Sequence, residues 1–203
     1  MSMWFFFTIA TTLLWGLAEL FYKKGARAEE KYAHLKICIC VGAVMGLHAL
    51  SVLLFSGIRY DPVNLLCYLP VSLLYIVSMA ASFFGMRFLE ESISDPIENT
   101  SGALCSLLCF LILGEKLAPL SVLAIVIMVI GILGIGFLEN SGSTDRKKKI
   151  GKTLAAAAFA MPFVYAALDA FGSFLDIYYL ELETSPLVGI TEENIEQVAN
   201  LSY

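Results

Sequence analysis

Charge is scarce in this 203-residue sequence: Asp, Glu, Lys and Arg together make up 15% of it, against 59% hydrophobic residues and a mean hydropathy of +0.79. A soluble domain carries about a quarter charged residues, so the chain has too little polar surface to cover a soluble globule. The net charge of −5 supplies no basic field, which excludes a nucleic-acid binder. Histidine occurs only twice. The five cysteines (Cys38, Cys40, Cys67, Cys105 and Cys109) all sit in apolar segments. They show no zinc-ligand spacing and no secreted disulfide framework, and are read as small residues packing between helices. There is no His-Glu-x-x-His, no Gly-x-Ser-x-Gly, no Walker loop and no Asp-rich metal pair. Those absences argue against an enzyme and against an ATP-driven pump in this chain, and they call for no cofactor and no metal.

The charges that are present cluster in short segments between long apolar runs. A helix rising ~1.5 Å per residue needs ~20 apolar residues to cross ~30 Å of hydrocarbon. Six runs meet that length: Met3 to Tyr22, Ile37 to Phe55, Leu65 to Met86, Ser92 to Leu113, Leu120 to Leu138, and Thr153 to about Leu175. The fourth is polar in its first half, which a membrane bundle tolerates only where that half lines a cavity. No basic residue precedes the first run, so it reads as a membrane helix rather than a cleavable signal peptide.

Eleven of the thirteen Lys and Arg residues follow the first, third and fifth runs, and only Arg59 and Lys116 fall on the other side. Basic residues are retained on the cytoplasmic face. The expected location is therefore a bacterial plasma membrane, with the N-terminus and the acidic tail outside and the basic loops inside.

Trp15-Gly16-Leu17-Ala18-Glu19-Leu20-Phe21 matches Tyr165-Ala166-Ala167-Leu168-Asp169-Ala170-Phe171 at an offset of 150 residues. Both read aromatic, small, two apolar, acid, small or apolar, Phe. Five runs lie between the starts of the two copies, and an odd number inverts the second copy, as in secondary transporters built from inverted repeats.

Three further stretches carry a resemblance. One is Leu14-Trp15-Gly16 with Lys23 closing the first run. The second is Asp95-Pro96-Ile97 with Leu113-Gly114-Glu115-Lys116-Leu117 at the far end of the fourth. The third is the glycine-rich Ile130-Gly131-Ile132-Leu133-Gly134-Ile135-Gly136 in the fifth. In order and spacing these resemble the drug/metabolite transporter superfamily, in its EamA-type branch, over about residues 3 to 140 and faintly over 150 to 175. The resemblance implies two inverted five-helix repeats around a central cavity for small metabolites and other organic solutes. Most of a second repeat is missing here. The charge bias also puts the Gly-Glu-Lys-Leu turn outside, whereas typical relatives start inside.

The expected fold is thus an all-α membrane protein of six transmembrane helices, a five-helix repeat plus the first helix of an inverted second one. Residues 1–140 form the first repeat and 141–152 a basic cytoplasmic loop. Residues 153–180 form the first helix of the second repeat, and 181–203 a polar acidic tail read as a truncated loop.

An ionisable side chain at the centre of a membrane helix costs ~2.5–3.5 kcal/mol on insertion scales and needs a partner or water. Five such residues stand out: Glu19, His48, Asp95, Glu98 and Asp169. Asp95, Glu98 and Asn99 share a helical face, which Gly102, Ser106 and Cys109 extend with small or weakly polar atoms. Such a face reads either as a cavity lining for solute or proton, or as interfacial acids in a first helical turn. Glu19 and Glu98 both fall in the cytoplasmic half and can meet, or Glu19 pairs with Lys23 one turn on. Asp169 is the inverted counterpart of Glu19, or a solvated acid at a helix end. His48 is a proton carrier or a packing histidine. Glu115 and Gly114 read as structural, making a tight turn.

The leading expectation is a secondary transporter of small organic solutes in the bilayer, with proton coupling through membrane carboxylates. Its cavity would be wet and acid-lined, between the first, third, fourth and sixth helices. The other is a non-transporting subunit or half-transporter that acts only as a homo-oligomer or with its missing second half. A reporter enzyme fused after Ser143 checks the orientation: cytoplasmic activity is expected, and periplasmic activity reverses it.

Overall fold

The computed structural model describes residues 3–142 and 151–203, all helices and connections with no strand among them. Most of the basic loop expected over 141–152 lies outside the described residues. Helix α1 spans Met3–Gly25 and α2 spans Ala33–Phe55. Lys23 and Lys24 close the last turn of α1, where cations suit the helix dipole.

The expected third run divides at Tyr68 into a short α3, Val63–Cys67, and α4, Leu69–Met86. Pro70 sits in the first turn of α4, where its missing N–H costs no internal hydrogen bond. The fourth run divides further. Helix α5, Glu91–Glu98, contains Pro96, α6 spans Ser101–Leu108, and a π-helical stretch covers Cys109–Leu113. Between α5 and α6 the Thr100 amide turns back to the Ile97 carbonyl at 3.1 Å and its hydroxyl takes the same oxygen at 2.6 Å. A local hydroxyl bond of this kind competes with the helical ladder. Gly114, at φ +72°, ends the π-helical stretch in the left-handed region open to glycine.

Helix α7 spans Pro119–Gly142, α8 spans Lys152–Leu180, and a final helix α9 spans Ile195–Ser202 within the acidic tail. Among the described residues five helices are long and apolar enough to cross a membrane: α1, α2, α4, the composite Ser92–Leu113 and α8. The described apolar part of α7, Pro119–Ile132, is shorter than a span.

The core is the antiparallel pair of α4 and α8, with α5 and α6 leaning on α8. Small residues let the two backbones approach, as membrane helix packing requires. A Cβ at Gly85 would stand 3.2 Å from the Met161 Cβ, and one at Gly172 would meet the Tyr75 ring at 3.4 Å. Ala158, Ala166 and Ala170 of α8 are buried. By contrast, no residue in the apolar windows of α1 and α2 is buried; the outward faces of these helices are apolar, as lipid demands.

Two polar clamps lock the ends of the pair. At the end where α4 finishes, the Arg87 guanidinium donates to the carbonyls of Arg27 (3.2 Å), Ala28 (3.1 Å) and Lys31 (2.9 Å), and packs on the Phe84 and Phe88 rings. Lys23 donates to the Met86 carbonyl at 2.7 Å and to that of Leu89. The α1–α2 connection is therefore strapped to the end of α4, with an exposed Glu30–Lys36 pair beside it; the Lys36 ammonium holds the Glu30 carboxyl below the usual carboxylate range.

At the other end the tail folds back. Asn64 exchanges hydrogen bonds with Val188, 3.0 Å to its carbonyl and 2.7 Å from its amide. Val198 and Ala199 of α9 are buried with Tyr68, Val71 and Leu187. Gly85→Val is expected to destabilise the detergent-solubilised protein by about 1–3 kcal/mol through overpacking. Gly46→Val, at a position with open space around it, should leave the thermal midpoint nearly unchanged.

Candidate functional site

Two stripes of polar side chains face one another inside the α4–α8 pair. From α4 and the residue before it come Tyr68, Ser72, Tyr75, Ser78 and Ser82, three or four apart and hence on one helical face. From α8 come Tyr165, Asp169, Ser173 and Asp176 at the same kind of spacing. Ser72, Ser78 and Ser82 are buried, and a buried hydroxyl in hydrocarbon needs a partner.

Ser72 and Ser78 meet that need on the carbonyls of Tyr68 and Tyr75, and two tyrosines join the stripes. Tyr68 donates to the Asp176 carboxylate, and the Tyr75 and Ser173 hydroxyls are 3.1 Å apart. Ser101 of α6 and Tyr165 stand beside Asp169 as hydrogen-bonding neighbours. Towards the end where α4 finishes, the Ser82 hydroxyl donates at 2.8 Å to one oxygen of Glu98. The other oxygen, Oε1, is buried and has no hydrogen-bond partner among the described residues.

Glu98 is the centre of this arrangement. It sits at the end of α5 and is held by α4 through Ser82. It carries the electrostatic influence of Asp95 on its own helix, Glu19 on α1 and Asp169 on α8. Lys23 acts on Asp95 from the opposite sign. Four acids from three helices thus share one low-dielectric region, where like charges cannot all be ionised cheaply. Asp169 lies in this neighbourhood, with Ser101 and Tyr165, rather than as a solvated acid at a helix end: its position along α8 brings it level with the start of α6.

Asn99 and His48 lie apart from it. Asn99 is exposed at the end of α5, and the turn at Asn99–Thr100 rotates α6 relative to α5. The expected continuous stripe therefore breaks up: Cys109 is buried against Ala170 and Phe174, whereas Gly102 and Ser106 are exposed. His48 is exposed on α2 and lines a groove of about 1030 Å³ together with Val41, Met45, Ile76, Asn200 and Tyr203. No Asp, Glu, Lys or Arg lines this groove. It lies between α2, α4 and α9, where the refolded tail forms one wall. The acid-lined pocket expected between the first, third, fourth and sixth helices is not this hollow, because the acids face the packed side of α4.

Ser82, Ser101, Tyr165, Tyr68 and Asp176 were not read from the sequence as partners of the acids, although the polar spacing inside two apolar runs was a readable signal. Among the described residues no group of three or more His, Cys, Asp or Glu could hold a metal ion.

No match was found among curated proteins or among solved structures. A family model does match: the EamA-like transporter family, over residues 2–137. That span covers α1 to most of α7 and includes Glu19, Ser82, Asp95 and Glu98, so the chain, an integral membrane protein, belongs to the EamA-like transporter family, whose members carry small molecules across membranes.

Proposed function

We propose that the chain is a secondary transporter of small organic metabolites or drugs, working by alternating access and coupled to protons through Glu98 and Glu19. One observation supports this most directly: a carboxylate in a membrane-spanning element, with one oxygen hydrogen-bonded to Ser82 and the other enclosed without a donor. A carboxylate so placed is costly when charged and comfortable when protonated. Glu19, Asp95 and Asp169 act on it electrostatically, so a proton or a substrate cation arriving there relieves repulsion among four acids. Asp95 and Asp169 share the site. Asn99 and His48 contribute at the outer edges, Asn99 at the turn between α5 and α6 and His48 in the groove.

A second reading, a half-transporter that works only in an oligomer, is favoured by α1 and α2. No residue of either apolar window is buried, and a closed solute path needs more walls than α4, α5, α6 and α8 provide. In this reading Glu98 keeps its role, and a second copy or a second half supplies the missing helices.

Uptake of a panel of radiolabelled amino acids, sugars and organic amines into vesicles carrying the protein, with the outside pH varied, tests the site. At least one solute should accumulate with a pH-dependent rate. Glu98→Gln should reduce that rate roughly tenfold, the equivalent of about 1.4 kcal/mol, and Glu19→Gln should flatten its pH profile. If both variants keep wild-type uptake and the same pH profile, the coupling assignment is wrong.

A further inference from the structure

We propose that the polar seam between α4 and α8 is a proton path through the core of the chain, running from Glu98 to a second carboxylate station at Asp176. The inference rests on the proton-coupled reading of Glu98 and extends it to residues that reading does not use.

The geometry is continuous in register. Tyr68 and Ser82 bound the α4 stripe, fourteen residues apart, which is ~21 Å along a helix and most of a ~30 Å hydrocarbon layer. Across from it, α8 offers Tyr165, Asp169, Ser173 and Asp176 on one face. The stations follow in order. Glu98 is bonded to Ser82, Tyr165 and Ser101 stand beside Asp169, Ser173 is bonded to Tyr75, and Asp176 to Tyr68. Three carboxylates, Glu98, Asp169 and Asp176, mark the line, with hydroxyls on both helices set between them in register and hydrogen-bonded within each station.

A hydroxyl donates and accepts at once, so it hands a proton to a carboxylate oxygen on one side while taking one from the other. Each group ends the cycle as it began, and the net change is one proton moved along the seam. Packing alone would be served as well by alanine or leucine at these positions, without the cost of placing hydroxyls and acids in hydrocarbon.

The titratable groups facing the end stations come from the seam and from the helices beside it. Asp95, Glu19 and Asp169 act on Glu98. Around Asp176 stand the phenols of Tyr68, Tyr75 and Tyr203, the last lying 5.4 Å from the Tyr75 ring. Lys23 acts on Asp95 at the opposite end of the line. No Lys or Arg is bonded to Asp176 among the described residues, so no fixed ion pair neutralises that station.

The full chain in liposomes containing the pH dye pyranine, with valinomycin and potassium setting an inside-negative potential, gives the test. Wild-type protein should acidify the interior faster than protein-free vesicles. Asp176→Asn, an isosteric change, should lower the protein-dependent rate roughly tenfold, and Tyr68→Phe should lower it in the same direction. Asp176→Glu should retain most of it. Thermal midpoints of all three variants are measured alongside, because a purely structural role would move the midpoint and leave the flux of folded protein unchanged. The path is overturned if wild-type flux equals that of empty vesicles, or if folded Asp176→Asn and Tyr68→Phe both conduct like wild type. Glu98→Gln in the uptake assay separates the two ideas: a loss there with wild-type flux in both folded Asp176→Asn and Tyr68→Phe removes the path and keeps the transport site.

Discussion

A polar side chain inside hydrocarbon keeps its place only when another polar group meets it, and this one requirement organises the described structure. The α4–α8 pair is where it is met. Small residues, Gly85 and Gly172 among them, bring the backbones close enough for hydroxyls on one helix to reach acids and hydroxyls on the other. Close approach and polar pairing thus support each other: a bulkier residue at the contact would separate the helices and leave Ser173, Asp176 and their partners in an apolar medium. The helices that carry no such seam, α1 and α2, bury nothing along their apolar windows. They are held at their ends by Arg87 and Lys23.

Those end clamps also define a direction. Arg87 spends its donors on three backbone carbonyls of the α1–α2 connection, and Lys23 caps the carbonyls that follow α4. Backbone carbonyls left over at helix ends are the natural acceptors for such cations. The basic residues that bias orientation in a sequence therefore act here as fasteners as well. At the opposite end the fastening is done by neutral groups, Asn64 with Val188 and Tyr60 with Ser202. Neutral amide and hydroxyl bonds are weaker than the charge-assisted bonds that Arg87 and Lys23 make to carbonyls, so the tail end is the more weakly fastened of the two.

Much of this was legible in the residues. Apolar run lengths located the helices to within a few residues at most ends, because hydrocarbon thickness sets the length whatever the packing. The family motifs, Leu14-Trp15-Gly16 and Leu113-Gly114-Glu115-Lys116-Leu117, pointed to the family whose model matches. Glu98 was legible as a candidate on one face with Asp95, with an interfacial acid in a first helical turn left open beside the cavity role. The breaks at Tyr68 and at Asn99–Thr100 were not, since they come from a proline at a helix start and from a threonine hydroxyl that bonds its own turn. Run length shows neither: Pro70 sits inside an apolar run, and Asn99–Thr100 lies in the polar first half of the fourth. Extrapolating a single helical face from Asp95 to Cys109 failed for that reason: a face persists only as long as the helix does. The return of residues 195–202 onto Tyr68 and Val71 was equally hidden, because Val198 and Ala199 look ordinary in an acidic tail until a partner surface exists.

The seam also explains why the acids and the groove lie on different sides of α4. A carboxylate exposed to a neutral apolar hollow would have neither water nor donor, the costliest arrangement open to it. Turned towards α8 and α5, the same carboxylates find serine and tyrosine hydroxyls and one another. The groove has Tyr60, His48, Gln197, Asn200 and Tyr203 among its polar members and no charged side chain among the described residues. A solute bound there would feel the acids only through α4 itself. The chemistry that can reach both sides is mechanical: Tyr75 is bonded to Ser173 in the seam, while its ring meets that of Tyr203 at the groove wall. On the proposed proton-coupled reading, a shift of α4 that alters the seam would carry the Tyr75 ring with it. A solute against Tyr203 would then bear on the seam through Tyr75, which itself lies outside the groove lining.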